Sequence, residues 1–239
     1  MVRLHFLLHK ISNTMGFCVA YKYERVDIMP NWCINKYSFY TDKEDKGELL
    51  QLYKNLEAVM NIPSDVSNGF GLGWLGEVAI KHGLDWEKIS CRGEMTNLGD
   101  YEPGDWYFML DADTAWSPTD ELWETVIEQY EDVYYVYVAE EPGCEIFINT
   151  DTEGRFFNET YLIDIGGDIP IPAGWFADQE KPKHLEIREY FASFAELNDY
   201  CSQFTGKDFD SFEEWQDYFA EIFDNEDNAY ASINEFAAA

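Results

Sequence analysis

Thr114-Ala115-Trp116-Ser117-Pro118-Thr119-Asp120 separates two apolar runs, and its reading decides the fold. Upstream, residues 106–111 read as a mostly buried strand. The motif itself opens a helix, with Ser117 as N-cap, Pro118 at the first helical position and Asp120 at the third. Leu122, Trp123, Val126, Ile127 and Tyr130 continue at helical spacing. Downstream, residues 133–139 are all β-branched or aromatic until Ala139, the strongest strand signal in the chain. Working outward, residues 33–41 alternate with Cys33, Tyr37 and Phe39 on one face. Leu49, Leu52, Tyr53, Leu56 and Met60 then mark an amphipathic helix. Residues 64–104 are Gly-rich and read as an insertion holding a short helix at 74–81. After residue 139, turns at Glu141-Pro142-Gly143 and Asp151–Gly154 give strands at 144–149 and 155–164. Strand, helix, strand, helix and meander predict an α+β class with an antiparallel sheet over 29–164.

Residues 165–185 contain Gly and Pro and read as a linker. Beyond them, Ser193-Phe194-Ala195-Glu196 and Ser211-Phe212-Glu213-Glu214 are capping boxes repeated at a period of 18. They predict two short helices in an acidic, helical C-terminal region, 186–239. In the second, Trp215, Tyr218, Phe219 and Ile222 share a face that packs on the body or on a second chain, so a homodimer stays open.

The chain has 239 residues with 16 Lys+Arg against 47 Asp+Glu, a formal charge of −31. At 46% hydrophobic and 17% aromatic residues it has the material for a core and is not an acidic disordered tail. Direct nucleic-acid binding is disfavoured, because phosphate neutralisation needs clustered Lys and Arg. Anionic membrane surfaces are disfavoured likewise. Five cysteines without a C-x-x-C pair fit reduced thiols, and four histidines show no zinc-ligand spacing. Residues 1–28 are slightly basic and read as an N-terminal extension ahead of Met29.

Met29-Pro30-Asn31-Trp32-Cys33 before a strand, Thr114-Ala115-Trp116-Ser117-Pro118 opening a helix, and Tyr137 followed by Glu140-x-x-Gly143 carry a resemblance. In these motifs residues 29–164 resemble the YubB-type ferredoxin-like family of plasmid and phage proteins. The resemblance implies a ferredoxin-like sheet with helices on one face and a mobile-element origin, and it implies no reaction. The tail resembles the acidic helices of ArdA-type antirestriction proteins.

Charge is uneven. Residues 94–180 hold 22 acids and one base, Arg155, and residues 208–235 hold ten acids and none. Glu213, Glu214, Asp217, Glu221, Asp224, Glu226 and Asp227 along one continuous helix would give one charge per roughly 3.4 Å, near the phosphate spacing of a DNA strand. A solvated face that merely keeps the protein soluble is the competing reading. With Glu140, Glu141 and Tyr135, these acids form the expected partner surface. Among Tyr134, Tyr135 and Tyr137, rings left exposed beside acids would accept a partner's arginine. The expected function is non-enzymatic: a phage or mobile-element inhibitor in the host cytoplasm. It would occupy the nucleic-acid groove of a restriction nuclease or CRISPR effector as a DNA mimic, of anti-CRISPR or antirestriction type, without cofactor or metal. The alternatives are a plain oligomeric scaffold, or a metal-dependent hydrolase or calcium module built on Asp111, Asp113, Asp151 and Glu153. The calcium loop suggested by Asn149-x-Asp151-x-Glu153-Gly154 has Thr160 where a bidentate acid belongs. No G-x-S-x-G or Cys–His spacing supports nucleophilic catalysis.

Overall fold

Alternation in β1 (Trp32–Tyr40) sends Cys33, Asn35, Tyr37 and Phe39 to one side of a sheet and leaves Trp32 and Ile34 exposed on the other. The computed structural model describes residues 31–62, 72–168, 171–177, 182, 184–223 and 229–238. β1 is followed by α1 (Gly47–Met60), α2 (Leu75–Lys81), β2 (Gly93–Leu98), β3 (Tyr107–Ala115), α3 (Asp120–Ile127), β4 (Tyr134–Glu141) and β5 (Ile146–Asn149). The five strands form one antiparallel sheet in the order β2-β3-β1-β4-β5, with β1 at its centre. Leu49, Leu52 and Leu56 of α1, Val78 of α2 and Leu122, Trp123 and Val126 of α3 pack on one face, against Tyr37, Phe39, Phe108, Leu110 and Tyr137. Burying each such side chain contributes about 1.5–3 kcal/mol.

The rest of the chain builds a second unit. β6 (Tyr161–Gly167) lies between β7 (Leu185–Phe191) and β8 (Ala229–Glu235) in an antiparallel sheet, joined in sequence by α4 (Phe194–Thr205) and α5 (Phe212–Phe223). Ile163, Ile165, Leu185 and Ile233 face the helices and meet Leu197, Cys201, Phe204, Trp215 and Phe219. Leu162, pointing the other way, joins Val138, Phe147, Phe157 and Phe236 in a third cluster between the two sheets. The backbone adds a stitch, since Ala237 donates to the Phe147 carbonyl and accepts from Asn149 N–H.

Several expected boundaries move. The helix after β3 begins at Asp120, and its N-cap is Thr119 rather than Ser117, whose carbonyl instead accepts from the Thr114 hydroxyl at 2.8 Å. The insertion at 64–104 contributes β2, an edge strand of the main sheet, while residues 63–71 lie outside the described residues, as does the 1–28 extension. Residues 155–160 form a loop, and the boundary drawn between 164 and 165 falls inside β6. The expected linker carries Trp175 into the second core, and the expected helical tail holds two strands besides its helices. Among the described residues no helix is long and apolar enough to cross a membrane.

Candidate functional site

Helix α5 starts where the sequence pattern places it. Glu214 N–H donates to Ser211 Oγ at 3.3 Å, and the amides of Asp210 and Ser211 donate to Glu214 Oε2 at 2.9 and 3.2 Å. α4 repeats the device, with Glu196 N–H on Ser193 Oγ and Ala192 N–H on Glu196 Oε2. Trp215, Phe219 and Phe223 are buried on the inner face of α5, and the Trp215 indole donates to Asn198 Oδ1 at 2.7 Å. Tyr218 accepts from the Trp175 indole, and Gln216 donates to the Ile233 carbonyl. The helix is therefore fixed in rotation as well as position.

That rotation aims Glu213, Asp217 and Glu221 into solvent, four residues apart on one stripe. At 1.5 Å per residue they are about 6 Å apart along the axis. Glu214 is exposed, but its carboxylate is committed to the cap. Asp224, Glu226 and Asp227 lie outside the described residues. The described stripe is thus sparser than the roughly 3.4 Å spacing expected for an unbroken helix over 212–227. Ion pairs among the described residues hold Asp42, Asp85, Asp132, Glu140, Asp164 and Asp168, and none reaches an acid of α5.

The other expected surface residues sit elsewhere. Glu140 is committed between the sheets, paired with Arg188, which also pairs with Asp164, and accepting from Tyr190 OH at 2.7 Å. Glu141 is buried on the helix side of the sheet and accepts from Gly143 N–H at 3.0 Å, so it has no carboxylate to offer a partner. Tyr135 packs inward, stacked on Phe39 and Tyr137, and its neighbour Tyr134 is the exposed ring.

The carboxylates considered as metal ligands divide similarly. Asp151 is buried and accepts from Phe156 and Phe157 N–H at 2.6 and 2.9 Å, so it shapes its own loop, while Glu153 is exposed. Asp111 and Asp113 share the sheet face away from the helices, where Asp111 accepts from Asn97 at 3.1 Å. Partial burial, with help from Glu94 and Asp111, pushes the Asp113 carboxyl above its ordinary range. No group of three or more His, Cys, Asp and Glu among the described residues is arranged to hold a metal ion. Burial pushes the thiols of Cys33 and Cys201 up to about 12, which suits packing and not nucleophilic attack.

Two features escaped the sequence reading. Asp120 is half-buried beside Tyr137, and burial raises its carboxyl; the capping pattern gave no hint of that burial. An aromatic corner also forms where Tyr40 pairs with Tyr107 on β3 and Tyr134 on β4. The chain matches no family model, no curated protein and no solved structure.

Proposed function

We propose that the protein is a non-enzymatic acidic inhibitor encoded by a phage or other mobile element. It acts in the host cytoplasm by entering the nucleic-acid groove of a defence nuclease or CRISPR effector, with its carboxylates in place of phosphates. The observation that carries this reading is the α5 stripe: Glu213, Asp217 and Glu221 project in fixed register from a helix anchored by Trp215 and Phe219, and among the described residues no cation pairs with them. The field of such a stripe steers it toward the cations of a basic groove before contact, and charge pairing on contact must offset the cost of desolvating the carboxylates. The strand order β2-β3-β1-β4, with helices on one face, supports a ferredoxin-like reading of the main sheet, while α5 itself rests on the second sheet.

The test is capture of partners from host lysate with tagged wild-type protein and with Glu213→Lys/Asp217→Lys/Glu221→Lys. The expected result is a nuclease or effector that excess DNA or guide RNA elutes and that the triple variant loses. A partner retained despite excess nucleic acid, or retained by the triple variant, refutes occupation of the groove by α5.

A further inference from the structure

On the face of the main sheet opposite its helices, the ends of three adjacent strands bring Tyr107, Tyr40 and Tyr134 into one row. Tyr40 and Tyr134 have ring centroids 5.7 Å apart, and with Asp42, Lys43 and Asp132 they line an open cavity of about 360 Å³. The chain itself shows which chemical group this corner holds. The Arg155 guanidinium lies 4.8 Å from the Tyr40 ring centroid and 4.4 Å from that of Trp106, and it donates to Asp42 Oδ1 at 2.7 Å. Asp132 is held by Lys43 at 3.0 Å, with the lysine side chain 61% exposed. Pairs this open to water are held weakly and exchange readily for another cation. Tyr134 is 47% exposed, so its ring is available to an incoming group.

We propose that this corner is a receptor for an arginine side chain presented by a basic protein partner. The guanidinium enters between Asp42 and Asp132 and lies against Tyr40 and Tyr134, repeating on one side of Tyr40 what Arg155 does there already. Arginine fits better than lysine, because a planar guanidinium stacks on a ring while its fork donates to carboxylates. The chain's overall charge of −31 draws a cationic occupant, which competes at the corner with Arg155 for Asp42 and with Lys43 for Asp132. The site extends the acidic-binder reading but uses none of the α5 residues on which that reading stands.

The experiment is calorimetric titration of the full chain with hexa-arginine and with hexa-lysine peptides at equal ionic strength, which separates guanidinium recognition from bulk charge. The expected result is about two- to fivefold tighter binding of hexa-arginine, the range of an exposed cation–π contact. Tyr134→Leu, which leaves the charge unchanged, brings the two affinities together, whereas Tyr134→Phe keeps the difference. Asp132→Asn weakens hexa-arginine binding. Thermal melts of each variant confirm that it is folded. Equal affinities in the wild type, an arginine preference that survives Tyr134→Leu, or no binding overturns the proposal. The Glu213→Lys/Asp217→Lys/Glu221→Lys variant retains the arginine preference, so loss of the groove partner and loss of arginine recognition are read separately.

Discussion

Asp217→Asn separates a carboxylate kept for a partner from one kept for the fold. On α5 (Phe212–Phe223) Asp217 has Glu213 one turn before it and Glu221 one turn after, and the ion pairs among the described residues bring no cation to any of the three. Each like-charge pair at i,i+4 destabilises a helix by about 0.2–0.5 kcal/mol. Two such pairs meet at Asp217, so neutralising it stabilises the protein by about 0.4–1 kcal/mol. Asn and Asp have nearly equal helix propensity, so the backbone contributes little to the difference. For a chain of this size that gain raises Tm by roughly 1–4 °C. It is also screened. The acids stand about 6 Å apart along the axis, inside a Debye length of about 30 Å at 0.01 M salt but outside one of about 3 Å at 1 M. Thermal melts followed by circular dichroism at those two ionic strengths should show the gain at low salt and its loss at high salt. The same variant should bind the captured partner more weakly. Lower stability at low salt, or a gain indifferent to salt, refutes the view that these carboxylates repel one another unrelieved.

Arg188→Met removes the cation shared by Glu140 and Asp164 between the sheets and should cost roughly 1–3 kcal/mol in urea unfolding, below the fully buried range because the arginine is partly exposed. Adding Glu140→Gln should restore part of the loss. Asp120→Asn should raise stability at neutral pH. The folded carboxyl is raised above its unfolded value, so wild-type stability is intact below about pH 3.9 and falls as pH rises through the folded value. The variant's advantage should therefore be absent in acid and grow with pH in denaturant titrations; an advantage independent of pH contradicts this. Trp215→Ala empties a fully buried site and frees Asn198, and should cost about 3–5 kcal/mol, seen as loss of α5 protection in hydrogen exchange.

How much of this could be read in the sequence depends on how local each signal is. β1, α1 and the two capping boxes are written in contiguous residues, and they stand at or within a few residues of the expected places. Period-two reasoning also held more than was used. Tyr135, Tyr137, Ala139 and Glu141 alternate, so the burial of Glu141 follows from the inward direction of Tyr137. In β7 Leu185 and Ile187 alternate with Glu186 and Arg188, but the Gly- and Pro-containing stretch before them read as linker. β8 was beyond reach, because Ile233 is the one large apolar side chain it buries. Tertiary pairing was equally hidden: Glu140 and Arg188 are 48 residues apart, and only folding of the second sheet brings them together.

That pairing bears on the acids left over. Arg188 joins the two sheets, Arg155 ties the loop after Asp151 to Asp42, and Lys43 ties the end of β1 to Asp132 before β4. These cations stand where separate segments must be held together, and none is placed to neutralise α5. Solubility requires net charge but no alignment, and scattered acids on mobile side chains provide it. Alignment arises here because the indole of Trp215 and the phenol of Tyr218 lock the helix by hydrogen bonds as well as by packing. Repulsion between acids fixed at one-turn intervals is a standing cost to the fold. Diffuse salt screens that cost only in part at ordinary ionic strength, whereas cations in a matching arrangement would offset it directly, so the proposed binding role rests on the stripe and not on the net charge.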